Sequence, residues 1–360
     1  MKSVKSSWFS ANLFFSVLIF GGILFVYLSN EFPPQKVHIL IFIPLLIPFF
    51  ILFNILLIIF YLFKKKYTKS ILFLSILLFA GFKYIGRTFQ LSLHKKDKEQ
   101  INIISYNVRV FSAYHNNSHP KIKQSQNSIN WIKNSGAQIV CIQEFYTNNR
   151  IKDLNTVQIF KKSYPNSCII PYYDIPPQKI GLAILSKYKI LKSGEVKFKS
   201  STFNQAIFAD IKISKTKVLR VYNIHLQSMN IDQKIFSGTQ IEKELLFTSI
   251  RKYKNGALER AEQLKQILHH VKNSPYPTMV CGDFNDVPYS YVYEQFNKHL
   301  KNGFEEKGNG FGFTYSGKYS FLRIDNIFAS SQINFVEFDT HDSVWGSDHY
   351  PISANVFIEN

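Results

Sequence analysis

The chain has 360 residues, 43 Lys and Arg against 24 Asp and Glu, and a net charge of +19 at pH 7. That length leaves room for more than one domain, and the charge favours anionic partners over cationic ones. The cysteines are Cys141, Cys168 and Cys281; with no CxxC pair and no Cys/His cluster, they exclude a zinc-thiolate site and a disulfide framework.

Apolar residues crowd the first 93 positions. Three stretches are expected to form two to three transmembrane helices, at about 9–29, 37–63 and 70–86. The second carries Pro44 and Pro48, which membrane helices tolerate. The third is short and is expected to use Lys83 and Arg87 as snorkelling ends. A two-span version leaves Ile71–Phe82 on the membrane surface. The lysines of "KKKYTK" and those before the first span suggest a cytoplasmic N-terminus. A third crossing then places the rest of the chain outside. The expectation is a multi-pass protein of a bacterial inner membrane, with its soluble domain on the extracytoplasmic side and the lipid bilayer as a partner.

"HKKDKEQ", residues 94–100, reads as a linker, and residues 101–360 read as one soluble domain. β-Branched runs predict strands over 101–108, 137–144, 179–188, 203–214, 218–226, 276–284, 321–330 and 351–358. Helices are expected over 128–136, 256–271 and 290–300. So many apolar strands with few helices suggest an α+β domain of two sheets packed face to face, helices outside.

Polar residues recur at the ends of these strands: Asn107, Glu144, His225, Asp283 and Asn285, with Asp325, Asp348 and His349 beside the last two strands. Each alone suits a turn, a cap or a satisfied buried group. Together they suggest one edge of the sheets where loops build a site. Asp286 reads as a turn residue and Arg260 as a solvated or structural arginine. His269, His270 and His341 read as surface or linker residues.

The segments "ISYNVRVF", "CIQEFY", "YNIHLQS", "CGDFNDVP", "FLRIDNIF" and "GSDHYPIS" occur in that order over residues 101–358. They resemble the signature segments of the endonuclease/exonuclease/phosphatase superfamily, with "GDFN" and "SDHYP" the most specific. The resemblance implies a four-layer α/β/β/α sandwich with two mixed β-sheets, following the N-terminal transmembrane helices. It implies a hydrolase of phosphate esters using Mg²⁺, with Mn²⁺ as a substitute. It makes Glu144 the principal metal ligand, assisted by Asn107, with Asp348 completing the shell. Asp283 would orient or deprotonate the attacking water, and Asn285 would donate a side-chain N–H to phosphate. Asp325 would hold the His349 imidazole in one tautomer, and His225 would stabilise developing charge or assist the leaving group.

Asn326 departs from the family, where an aromatic residue is frequent, and is expected to loosen packing. The basic segment 227–256 is expected to shape substrate access. The substrate is a phosphate ester, with a lipid headgroup and a nucleic acid both open. A catalytically inactive, membrane-tethered binding module is the alternative outside enzymes.

Overall fold

Prolines set where the first helices begin. The structure, a computed structural model, describes residues 22, 27–92, 100–113, 122–199, 203–229, 243–317 and 320–359. Short 3-10 turns at His38–Ile41 and Ile43–Leu46 lead into helix α1 (Ile47–Phe63). Pro44 and Pro48 lie in the first turns of their elements, where a missing N–H costs nothing. Helix α2 (Tyr67–Thr88) follows and packs back on α1, with Tyr61 stacked on Phe73 at 5.6 Å. His38–Phe63 is long and apolar enough to cross a membrane, whereas α2 is bent by 70° between Phe79 and Gly81. The described residues thus hold one unbroken candidate span and one broken one, not several straight spans; most of the expected first span, 9–29, lies outside the described residues.

The chain divides into two units. One takes the described residues up to Phe89 together with Val287–Gln295, and the other takes Gln90–Asp286 with Phe296–Asn360. Within the first unit, Lys83 and Arg87 do not snorkel. Arg87 is buried, reaches the Glu294 carboxylate at 2.8 Å and the Pro288 carbonyl at 3.3 Å, and lies over the Tyr293 ring. Lys83 adds a second ion pair to Glu294 at 2.7 Å. Burial alone would raise the Glu294 carboxyl, but the two cations win and hold it below the usual range. A guanidinium with a carboxylate in reach gains more by pairing than by extending towards water. Residues 94–99 of the expected linker lie outside the described residues.

The second unit holds two six-stranded sheets among the described residues. The first runs β11-β12-β1-β2-β4-β3, built from β1 (Ile101–Asn107), β2 (Ile139–Asn148), β3 (Asn166–Ile175), β4 (Gln178–Ser186), β11 (Ile333–Thr340) and β12 (Ile352–Ile358). The second runs β5-β6-β7-β8-β10-β9, built from β5 (Lys189–Glu195), β6 (Gln205–Lys212), β7 (Val218–His225), β8 (Thr278–Asp283), β9 (Lys301–Asn302) and β10 (Asp325–Ala329). Each sheet is mixed: β1 is parallel to β2, β7 is parallel to β8, and the remaining pairs are antiparallel.

Inward residues of both sheets, among them Ile103, Cys141, Ile184, Val221, Cys281 and Ile327, form the core between them. All three cysteines are free and buried, and burial pushes the Cys141 thiol up. Helices α3 (Ile122–Asn134) and α4 (Thr156–Lys161) cover the first sheet, with Ile129, Ile132 and Phe160 on its outer face. Helix α5 (Lys243–Lys272) lies along the second sheet and is longer than its periodicity suggested. His270 is not a surface residue: its Nδ1 meets the Tyr222 hydroxyl at 2.6 Å. His341 likewise packs on the Trp131 ring at 5.0 Å and meets the Ser353 hydroxyl, whereas His269 is exposed as expected.

A buried polar staple joins the sheets. Gln143 of β2 donates to the Asn223 Oδ1 of β7 at 2.6 Å, and Asn223 Nδ2 donates to the carbonyls of Ile142 and Ala183. Two carboxamides in an apolar core are tolerated because their donors are used.

Glycine is required at Gly282, whose φ is +149° and where a Cβ would overlap the Ile224 carbonyl oxygen of the neighbouring strand. Gly282→Ala should therefore cost on the order of 3–5 kcal/mol and spoil the β7–β8 pairing. A melting curve of the full chain in detergent would show a large fall in Tm.

Candidate active site

Strand direction brings the polar residues to one edge. Asn107 ends β1, and the parallel register sets it beside Gln143 of β2. His225 ends β7 beside Asp283, which ends β8. Antiparallel β10 begins at the same edge, with Asp325 opposite Asp283. His349 lies just before β12, which runs antiparallel to β1 and so starts where β1 stops. Glu144 does not follow its strand. It sits within β2 at a bulge between Ile142 and Phe145, in the left-handed conformation with φ 51°. The extra residue turns its side chain out of the ladder.

The centre of the arrangement is Asp283 Oδ2. Asn107 Nδ2 donates to it at 3.0 Å, and the Nε2 atoms of His225 and His349 each lie 3.7 Å away. Asp283 Oδ1 accepts the Asn285 backbone N–H at 2.8 Å. Asn107 Nδ2 also reaches Glu144 Oε1 at 3.3 Å, and His225 Nε2 lies 3.9 Å from that oxygen. His349 Nδ1 meets Asp325 Oδ2 at 2.9 Å. An ionised carboxylate only accepts, so Nδ1 carries the proton and Nε2 faces Asp283.

Burial would lower the His349 pKa, but Asp325 and Asp283 outweigh it and push the imidazole up to about 10. Burial pushes Asp325 up in turn, while the imidazolium pulls it back down. The Tyr315 ring meets His349 edge to face at 5.2 Å, and Thr314 Oγ1 accepts the N–H groups of Ile324 and Asp325.

Three expected placements differ. Asp348 lies outside the hydrogen-bonded cluster; its Oδ2 pairs with Arg109 Nε at 3.4 Å. Asn107 turns its amide nitrogen to the carboxylates, and its oxygen, expected to ligate a cation, accepts the Arg109 N–H at 3.0 Å. Asn285 Nδ2 donates to the Leu226 carbonyl at 3.0 Å, leaving one N–H of that group for a phosphate.

Arg260 is the structural arginine of the two alternatives. It is buried, with Nε 3.0 Å from Asp286 and Nη1 2.9 Å from the Gln227 carbonyl. Asp286 is therefore half of an ion pair beneath the site loop rather than a simple turn residue. Asn326 does not loosen the core, since its oxygen accepts from Arg323 and Asn302.

Arg109 and Tyr172 are residues that sequence reasoning missed. Arg109 opens a run of four left-handed residues, Arg109–Ser112, with φ of 47°, 48°, 55° and 51°. Burial, and after it the charge of Glu144, push the Tyr172 phenol up. The spacing of Arg109, two residues past Asn107, was the available signal.

Asp283, Asp325 and His349 present ligand atoms within 4.8 Å of one another. Among the described residues, no lysine or arginine pairs with Glu144, Asp283 or Asp325. Asp283 and Asp325 share the His349 imidazolium as counter-charge, whereas Glu144, a hard oxygen donor with no lysine or arginine paired to it among the described residues, fits a divalent cation such as Mg²⁺.

Residues 104–349 match the model of the Endonuclease/Exonuclease/phosphatase family. The chain belongs to that family. It is a hydrolase of phosphate esters. Residues 7–88 match a second model, a domain of unknown function (DUF8431). No curated protein matches the chain.

Solved structures share the fold. The human nocturnin catalytic domain with bound sulfate superposes with a TM-score of 0.53 at 15% identity, over 74% of this chain and 96% of that one. A family member from Beutenbergia cavernae gives 0.52 at 14%, over 73% and 72%. One from Bacteroides vulgatus gives 0.51 at 16%, over 73% and 100%.

The raised His349 pKa has a testable sign. A folded value near 10 against about 6.5 unfolded stabilises the protein fully below pH 6.5, and that contribution is lost as pH rises through 10. Tm of the full chain in nanodiscs should fall between pH 7 and 10, and His349→Gln should flatten that part of the profile.

Proposed function

We propose that the protein is a membrane-anchored, divalent-metal-dependent phosphodiesterase. The observation that carries this reading is the convergence of Asn107, His225 and His349 on Asp283 Oδ2. A buried carboxylate ringed by donors suits proton abstraction from a water more than it suits a turn.

In this mechanism Asp283 accepts the proton of the attacking water. Each oxygen accepts one N–H, Oδ1 from Asn285 and Oδ2 from Asn107, and the proton goes to Oδ2, the oxygen that faces both imidazoles. The His349 imidazolium, fixed by Asp325, donates Nε2–H towards a non-bridging phosphate oxygen. His225 presents Nε2 3.7 Å from the same Asp283 oxygen and stabilises charge on the leaving oxygen. The remaining N–H of Asn285 binds a phosphate oxygen. Glu144 would hold the cation, its Oε1 oriented by the Asn107 Nδ2 donor at 3.3 Å. When bound, that cation neutralises phosphate charge and acidifies water.

Asp283→Asn keeps the size of the side chain but removes the base. Turnover of a chromogenic phosphodiester should fall about a thousandfold or more with the fold retained. EDTA should abolish turnover, and Mg²⁺ or Mn²⁺ should restore it; activity that survives complete chelation would sink the metal requirement.

Anchoring is supported by the apolar His38–Phe63 helix and by the large apolar side chains it and α2 leave exposed, including Phe63, Phe79 and Phe82. The lysines between α1 and α2 favour a cytoplasmic loop, which puts the second unit on the outer face of the membrane. Protease added to sealed right-side-out vesicles should then digest the second unit, and in inverted vesicles should spare it.

A further inference from the structure

Helix α5 is longer than the sheet it lies on. Two contacts fix its course. Near its C-terminal end, His270 meets Tyr222 of β7, and further towards its N-terminus Arg260 meets the Gln227 carbonyl, just past the end of β7. The helix therefore runs antiparallel to β7 and β8. From Lys272 back to Arg260 it rises about 18 Å, matching the roughly 17 Å of β8 from Thr278 to Asp283. Arg260 is thus level with Asp283. The turns before it, Lys243–Glu259, continue about 25 Å beyond the edge that carries the site.

Among the described residues, that part buries Ser249, Tyr253, Gly256 and Ala257 on one side and leaves an apolar face exposed on another. Leu246, Phe247 and Ile250 share one arc of the helix and are exposed, Phe247 by 68%. Lys243 and Lys254 fall in the same arc, and Arg251 borders it. Two more aromatic side chains stand out from the site edge. Phe203 is 75% exposed, packs edge to face on Tyr172 and lies two residues before Gln205, the partner of His225. Trp345 is 60% exposed and precedes Gly346, whose carbonyl accepts the Ser112 hydroxyl beside the Asn107 turn. Lys197 and Lys199 precede Phe203 in sequence.

Resting on the phosphodiesterase reading, we infer that this apolar and basic rim docks the second unit on an anionic lipid bilayer. The substrate is then the phosphate ester of a lipid headgroup at that surface. Exposed aromatic and aliphatic side chains interleaved with lysines and arginines fit an interface of acyl chains and anionic headgroups. A protein partner would not need cations spaced through the apolar face, and the lysines oppose pairing with a second copy of the same face. Docking by the rim turns the Asp283 edge towards the headgroup phosphates, so the surface that binds the membrane also presents the substrate.

The test uses the full chain in nanodiscs. Replacing Leu246, Phe247 and Ile250 together by Asp should leave hydrolysis of soluble bis(p-nitrophenyl) phosphate within about twofold, while turnover of phosphatidylglycerol in the disc falls at least tenfold. Unchanged lipid turnover, or a parallel fall on both substrates, overturns the proposal. A second readout is independent of catalysis. The added fluorescence of Phe247→Trp should be quenched by brominated phosphatidylglycerol and much less by brominated phosphatidylcholine. No quenching, or a signal that follows protein concentration through pairing of chains, also overturns it. If the unsubstituted chain cleaves neither substrate, the phosphodiesterase reading fails, and the quenching still decides whether the rim meets lipid.

Discussion

A carboxylate shut away from water must find partners, and Asp283 finds them on both sheets. An unpaired buried charge would cost several kcal/mol or shift to its neutral form. Here Asn107 comes from one sheet and His225 from the other, while His349 arrives on the segment leading back into the first. The two sheets must therefore hold their edges level. The Gln143–Asn223 staple does this one residue from Glu144, deep in the core where a shift of either sheet would strand four buried polar groups.

Strain collects around the same edge. Glu144, Asn285 and the four residues Arg109–Ser112 all have positive φ without being glycine. Such conformations cost on the order of 1 kcal/mol or more each and persist only where surroundings impose them. The surroundings are visible. The Ser112 hydroxyl donates to the Gly346 carbonyl, the Ser347 hydroxyl donates to the Asn107 carbonyl, and Phe111 is fully buried against Phe145 and Phe160. The packing energy of Phe111 is thus coupled to the direction in which Arg109 and Asn107 face.

Much of this was legible in the sequence, and the rest was not for identifiable reasons. Central strands such as β1, β7 and β8 read clearly because they are buried runs ending in a polar residue. Strand β5 was missed because it is a sheet-edge strand rich in exposed lysine and shows no alternation. Strand β3 was missed because Pro171 interrupts its apolar run. The superfamily resemblance named the residues that meet at the edge, but not how they face. The orientation of Asn107 and the pairing of Asp348 depend on Arg109, whose left-handed backbone no periodicity announces. Arg260, Glu294, His270 and His341 have partners distant in sequence, so local pattern could not separate them from solvated side chains.

The pairing of Arg87 with Glu294 bears on how the catalytic part can be obtained alone. The chain leaves the catalytic unit at Asp286 and returns at Phe296, and the excursion is held by the last turn of an apolar helix. Deleting the hydrophobic leader to make a water-soluble fragment would strip Glu294 of both its cations and uncover Tyr289 and Tyr293 immediately downstream of the catalytic loop. A soluble version is better designed by substituting the outward-facing apolar side chains and keeping Lys83 to Thr88 than by cutting at the first strand.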